Sequence, residues 1–280
     1  MLTLNHHTLM RFPGFKSKAI TFSYDDGTTT DLRLADIFTK YGLKCTFNVC
    51  SGAFGSPNKP TVAELKEAYD KGGHEVAVHG ERHRSLGELH PEHAVKDILF
   101  DRIGIEKAFS RVVKGMAYAN GNYTEDVKQI LKMCGINYAR GTGKADPKFT
   151  IPKDWLEWKP TCHHDAEELF DTIDEFFTPV TRAYYWAHTP RILYIWGHSY
   201  EFERKGNWDR IEEIAKKVSN KDDVYYATNG EIFEYVRAYD RLEFSVEAGY
   251  VYNPSAIDVY VNYIGKDVIA KAGQITKIEE

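Results

Sequence analysis

Two carboxylates stand side by side in the stretch AITFSYDDGTTT, residues 19–30: Asp25 and Asp26, followed at once by Gly27. Adjacent like charges repel, and the end of an apolar, β-prone run is a poor place for them unless something offsets the repulsion. A solvated turn is enough to explain an isolated Asp-Asp-Gly. A bound cation or a proton-transfer task would explain it too, and either needs further groups elsewhere in the chain. His79 and His83, in AVHGERH, are four residues apart. On a helix or a tight helical turn that spacing puts two imidazoles on one face. With 11 histidines in the chain, it also arises by chance or on a solvated surface. Two imidazoles joined by a carboxylate make a donor set suited to zinc and its first-row neighbours, with a position left open for water. The zinc-protease pattern H-E-x-x-H is not met, because Glu81 falls two residues after His79 rather than one.

Such groups need a scaffold that brings distant strand ends together. KAITFSYDD reads as a buried strand and DLRLADIFTKYG as a helix capped by Asp31 and ended by Gly42. KCTFNVC, HEVAVHG, VKGMAYANG, INYARGTG, RILYIWGHSY and DVYYATNG read as further strands. Helical patterns alternate with them: TVAELKEAYDKGG with a Thr61–Glu64 capping box, a long helix with Pro91 in its first turn, and TEDVKQILKMCG capped by Thr124. DAEELFDTIDEFF, NWDRIEEIAKKV and EIFEYVRAYDRL complete the series. About seven strand–helix units without a Gly/Ser linker predict one α/β barrel over residues 1–240. From residue 241 the pattern turns to short alternating runs with turn signals. This predicts a small antiparallel β appendage, 241–280, packed on the barrel.

In a barrel of parallel strands, chemistry collects where strands end and loops begin. The first strand ends in Asp25 and Asp26, the third in His79 and His83, the fourth in AYANG, the fifth in YARGT with Arg140, and the late strand ILYIWGHSY in His198. No G-x-G-x-x-G or P-loop follows the first strand, which disfavours a nucleotide-binding sheet.

The formal net charge is −5, with no basic block, which argues against a nucleic-acid partner. Four cysteines without a C-x-x-C pair read as reduced, buried thiols. No stretch approaches a membrane span and the first 18 residues lack a continuous apolar region, so a cytoplasmic protein is expected. An aromatic fraction of 14% suits sugar binding and core filling equally.

TFSYDDG, HGERH and LYIWGH, in that order and at strand ends, resemble the polysaccharide deacetylases of carbohydrate esterase family four, the NodB-homology domain. The resemblance covers roughly residues 17–235. It implies a distorted (β/α)7 TIM-like barrel and metal-dependent hydrolysis of N-acetyl groups on amino sugars. Carried over by position, Asp26, His79 and His83 become the metal ligands, Asp25 the general base and His198 the general acid. The implied cofactor is a divalent metal, zinc first, with cobalt, nickel or manganese as alternatives. A backbone N–H near Asn120 would receive the oxyanion, and Trp196, at the family's Leu position, would line the acetyl pocket. The alternation of a strand would let one aspartate face the ion and its neighbour the water.

The motifs depart from the family's pattern in places. Gly80 stands where the family has Ser or Thr, and AYANG replaces R-x-P-Y-G, so Ala117 occupies the place of an arginine that orients the base. Arg140, one strand later, is a candidate replacement; a surface ion pair is the competing reading. WLEWKPTCHHDAE reads either as a substrate wall or as core tryptophans beside solvated histidines. The expected substrate is an N-acetylated amino sugar or short glycan. Another C–N amide on the same site, or a non-catalytic carbohydrate-binding relative, is the alternative.

Overall fold

The computed structural model describes residues 7–57, 59–145, 147–179, 189–247 and 249–278. A short strand β1 (Met10–Arg11) precedes β2 (Lys18–Asp25), α1 (Thr30–Lys40), β3 (Cys45–Val49), α2 (Val62–Gly72), β4 (Glu75–Val78), α3 (Pro91–Phe109), β5 (Gly115–Ala117), α4 (Glu125–Met133) and β6 (Tyr138–Arg140). There follow β7 (Cys162–His163), α5 (Leu169–Phe177), β8 (Arg191–Gly197), α6 (Ser199–Lys205), α7 (Trp208–Val218), β9 (Val224–Tyr226) and α8 (Asn229–Asp240).

Seven strands form one parallel sheet in the order β6-β5-β4-β3-β2-β8-β7. The short β9 pairs with the first half of β2, at Lys18–Ile20, and β3 with its second half, from Phe22 to Asp25. The sheet curls because one stretch touches both of its edges. Trp158 bridges Arg140 at the end of β6, and a few residues later β7 pairs with β8 at Ile195 and Trp196. The result is a distorted (β/α) barrel. β2 is buried along nearly its whole length, as a strand covered on both faces must be. Phe22, Phe38, Phe47 and Tyr69 fill the space between sheet and helices.

Local signals behave as their chemistry requires. Thr61 and Glu64 form a reciprocal capping box at α2, Thr124 accepts from the Val127 N–H at α4, and Pro91 opens α3. Asp31 does not cap α1: Thr29 takes that place, and Asp31 sits buried in the first turn, accepting from the Thr28 N–H and the Tyr69 and Ser199 hydroxyls. Between β6 and β7 the described residues carry only one short 3₁₀ turn, Trp155–Glu157, so this crossover lacks a helix of its own. All four cysteines are free and buried.

The C-terminal stretch adds β10 (Glu243–Phe244), β11 (Tyr250–Tyr252), β12 (Val259–Tyr263), β13 (Lys266–Ala270) and β14 (Ile275–Lys277). They form two antiparallel sheets, β10-β11-β14 and β1-β12-β13. Val251, Val259, Val261 and Ala270 bury themselves with Phe233, Val236 and Tyr239 of α8. Among the described residues no helix is long and apolar enough to cross a membrane.

Candidate active site

β2 ends at Asp25, and Asp26 leaves the strand with φ +82°. Few residues other than glycine tolerate that region; Asp is one of them. Two contacts hold the turn: the Asp26 N–H donates to the Asn48 carbonyl at 3.0 Å, and Lys59 Nζ donates to the Asp26 carbonyl at 2.9 Å. Gly27 follows with φ +55°, where a Cβ would press on Val49 at 3.2 Å. Strand alternation therefore does not separate the two carboxylates, contrary to the sequence expectation. The left-handed turn brings both to His79, whose Nε2 lies 3.5 Å from Asp26 Oδ1 and 3.9 Å from Asp25 Oδ2.

His79 follows β4 directly, and its buried ring is fixed from behind. Nδ1 donates to the Ala117 carbonyl at 2.9 Å, which leaves the Nε2 lone pair pointing forward. The His79 backbone N–H donates to Asp101 Oδ2 at 3.0 Å. His83 comes back to the same place through a tight turn rather than a helix, with Gly80 at φ +89° and His83 itself at φ +53°. Its Nε2 is 3.4 Å from Asp26 Oδ1. Bonds of about 2.0–2.1 Å in a tetrahedral zinc site set ligand atoms about 3.3–3.4 Å apart. The Asp26–His79 and Asp26–His83 spacings fit that geometry. Burial, with the Arg140 charge nearby, holds the His79 pKa below its ordinary value despite the two aspartates, so the ring stays neutral as a ligand must.

Asp25 is buried and accepts from Arg140 Nη2 at both oxygens and from Asn48 Nδ2 at 2.8 Å. Burial alone would raise its pKa, but Arg140, His79 and His198 outweigh it and hold the carboxyl below the usual range. Arg140 is wholly buried, which excludes the surface ion-pair reading. In the β5–β6 register Ala117 stands opposite Arg140, so the guanidinium comes from the neighbouring strand at the same level. Its other face lies 4.5 Å over the Trp196 ring. On the far side, His198 Nε2 is 3.9 Å from Asp25 Oδ2 and its Nδ1 is 3.5 Å from Glu201 Oε1. Burial works against the imidazolium, but Glu201 and Asp25 prevail and the His198 pKa is raised.

Residues 13–139 match a known family, described as polysaccharide deacetylase. The match shows a likeness to that family over somewhat less than half of the 280-residue chain. The matched stretch takes in Asp25, Asp26, His79, His83 and Asn120, while Arg140, Trp196 and His198 lie beyond it. Solved structures carry the likeness further along the chain. A putative polysaccharide deacetylase from Mycobacterium smegmatis superposes with TM-score 0.60 at 17% identity, over 83% of this chain and 94% of its own. PplD, a deacetylase from Streptococcus pyogenes solved with acetate, aligns at 22% identity over 44% of this chain, with TM-score 0.42. The chain spans 55% of the length of that streptococcal protein. A family 4 acetyl xylan esterase from Clostridium thermocellum, in complex with cobalt, aligns at 17% identity over 77% of this chain and 90% of its own, with TM-score 0.49. At these identities the likeness speaks to the fold. No curated protein matches the chain.

Beside the group of Asp26, His79 and His83 lies a second cluster of His163, His164, Asp165 and Glu201. Glu201 Oε2 is 3.2 Å from Nε2 of both His163 and His164. His164 is fully buried between Tyr24 and Phe202, not solvated as the sequence suggested. Gly197 has no side chain because a Cβ there would overlap the His164 ring. The donor set nonetheless suits a metal poorly. The Asp165 N–H donates to His163 Nδ1 at 3.2 Å, so in the neutral ring Nε2 carries the proton and turns it toward Glu201. Glu201 lies within ion-pair distance of His163, His164 and His198, and its pKa is pulled far down against its partial burial. Asn120 sits exposed in the turn after β5, its Nδ2 donating to Ser85 Oγ at 3.1 Å.

Sequence reasoning missed Asn48, Asp101 and Glu201. Asn48 had a signal, a lone amide inside the apolar strand CTFNV. Glu201 had a weaker one, three residues after His198 at a helix start, where its carboxylate accepts the His198 N–H at 3.2 Å.

Proposed function

We propose that the protein is a hydrolase that removes N-acetyl groups from an N-acetylated amino sugar or short glycan, with a divalent metal held by Asp26, His79 and His83. The observation that carries this reading is the flanking of the candidate metal site by a buried, ionised Asp25 on one side and a charge-stabilised His198 on the other. Zinc is the ion we assign, since neutral imidazole and carboxylate suit it; cobalt, nickel and manganese share that preference in part. When bound, the ion supplies polarisation of the acetamide carbonyl and acidification of a water.

The chain's own groups do the rest. Asp25 takes the proton from the attacking water, and Arg140 with Asn48 keeps its carboxylate ionised and aimed. His198 gives its proton to the departing nitrogen, because an amine anion is a very poor leaving group. Glu201 steadies the imidazolium before that transfer. The turn at 119–121, around Asn120, is our candidate for the backbone donor to the oxyanion. Trp196 forms the wall beneath Arg140 on which the acetyl group rests. Residues 241–280, joined by β1, serve as a cap on α8 rather than as a separate binding module.

The test is metal content and acetate release from N-acetylglucosamine oligomers, for wild type and His79→Ala. About one metal per chain together with acetate release, both lost in the variant, supports the reading. Metal bound without acetate release sends the assignment to another C–N amide. No metal under any loading condition overturns it.

A further inference from the structure

In front of Asp26 and His83 opens a cleft of about 600 Å³, with Lys59, Arg82, Tyr200 and Arg204 on its walls. A smaller cleft of about 200 Å³ continues past Glu81 and Arg82 to Arg84, His93 and Lys96. The chain as a whole carries a formal net charge of −5, yet five cations gather along this one path against Glu81, Asp97 and the candidate ligand Asp26.

Most of these cations make no close ion pair, although Arg84 and Arg82 act on Asp97 at longer range. Elsewhere the basic residues are routinely matched, as in Lys40–Glu212, Lys114–Glu234 and Lys128–Asp154. Among the described residues, Lys59, Arg84, Lys96 and Arg204 take part in no ion pair, and Arg82 reaches only its neighbour Glu81, at 3.6 Å. Lys59 is directed to the Asp26 carbonyl and Lys96 to the Phe100 ring, which leaves the arginines facing the clefts. Arg204 is also pre-positioned, its guanidinium carbon 4.3 Å over the Tyr200 ring. A stacked guanidinium loses less freedom when it takes a ligand and presents a planar fork matched to carboxylate or phosphate oxygens. A concave wall on which one sign of charge predominates also concentrates the opposite sign in solution.

We propose that the substrate is an anionic glycan: the acetylated sugar bears, or stands next to, a carboxylate or phosphate that lies against Arg82 and Arg204 while the acetamide faces Asp26 and His83. The inference rests on the deacetylase reading for the chemistry and on the arginines for the selectivity. The net charge and the local character of the basic path speak against a polynucleotide, which would need a longer basic stripe.

The experiment uses the metal-loaded full chain and three probes of the same acetamide. These are a chitin tetrasaccharide (neutral), a hyaluronan tetrasaccharide (N-acetylglucosamine alternating with glucuronate) and N-acetylglucosamine 6-phosphate. Acetate release gives kcat/KM, and calorimetry gives binding, for wild type, Arg82→Gln and Arg204→Gln. We expect an anionic probe to exceed the neutral one in kcat/KM by about tenfold or more, with the ratio falling about tenfold in either variant and shrinking with added salt. The probe that shows it, uronate or phosphate, identifies the source of the charge. Equal kcat/KM on all three probes, with a ratio unmoved in both variants, overturns the anionic assignment while leaving the deacetylase. Arginine-dependent binding of an anionic probe without acetate release does the reverse: the anion site stands and the reaction class falls. No binding of any probe removes both.

Discussion

The buried pair of Asp25 and Arg140 offers the sharpest test of how the site works. In the wild type, burial pushes the Asp25 pKa up, while Arg140 leads the groups that pull it down, followed by His79 and His198. Arg140→Met keeps the apolar stem against Trp196 and removes the charge. Breaking a buried ion pair by deleting one partner costs about 3–5 kcal/mol, because the survivor is left charged without compensation. Asp25 escapes that cost by taking a proton, and a protonated base does no work. At pH values below its raised pKa the loss translates to about two to four decades in turnover, at about 1.36 kcal/mol per decade. The acid limb of the kcat profile therefore moves toward neutral pH, and activity partly recovers as pH rises. Metal content stays near the wild-type level, since Arg140 hydrogen-bonds Asp25 rather than Asp26, His79 or His83. Arg140→Lys keeps the charge as a point donor and falls in between. The double variant Arg140→Met with Asp25→Asn regains stability without activity, which separates folding from chemistry. An acid limb that does not move, or metal and turnover falling in parallel, refutes the argument.

Three further outcomes are expected. Glu201→Gln removes the carboxylate that helps raise the His198 pKa, and an acid works only below its pKa. The alkaline limb of kcat then shifts to lower pH; an unchanged limb at lowered kcat would make Glu201 merely structural. Asp101→Asn weakens the support of the His79 and Ser51 N–H groups by a carboxyl that burial holds at about 6. Metal affinity, measured by competition with a chelator, is expected to drop about 10- to 100-fold, as is usual when a ligand's outer partner is lost. Gly197→Ala drives a methyl into the buried His164 ring, and chemical denaturation should read a destabilisation of about 1–3 kcal/mol.

The parts of this fold that local chemistry decides were open to reading, and the parts that pairing decides were not. Thr61 with Glu64, Pro91, Thr124 and Gly42 all act within a few residues of themselves, so their roles follow from spacing. Asp31 shows the limit. Its carboxylate answers Ser199 and Tyr69 from distant helices as well as its own turn, and burial raises its pKa to about 7. The β1–β12 pairing joins residues some 250 positions apart through a two-residue strand, which no periodicity announces. The arginine at the base is the same kind of case. AYANG lacks it, yet a cross-strand neighbour in register supplies a guanidinium at the same height, because a parallel sheet makes the position beside Ala117 equivalent in space to Ala117 itself.

The two adjacent aspartates illustrate how the scaffold resolves what the sequence leaves in conflict. Alternation along a strand would have turned one aspartate to the ion and its neighbour to the water. The chain instead ends the strand between them, turns Asp26 through φ +82°, and stabilises that turn from two sides with Asn48 and Lys59. Both carboxylates then face His79, and what keeps them from repelling is a division of partners. Asp25 is neutralised by Arg140 inside the barrel, and Asp26 is left for a cation at the rim.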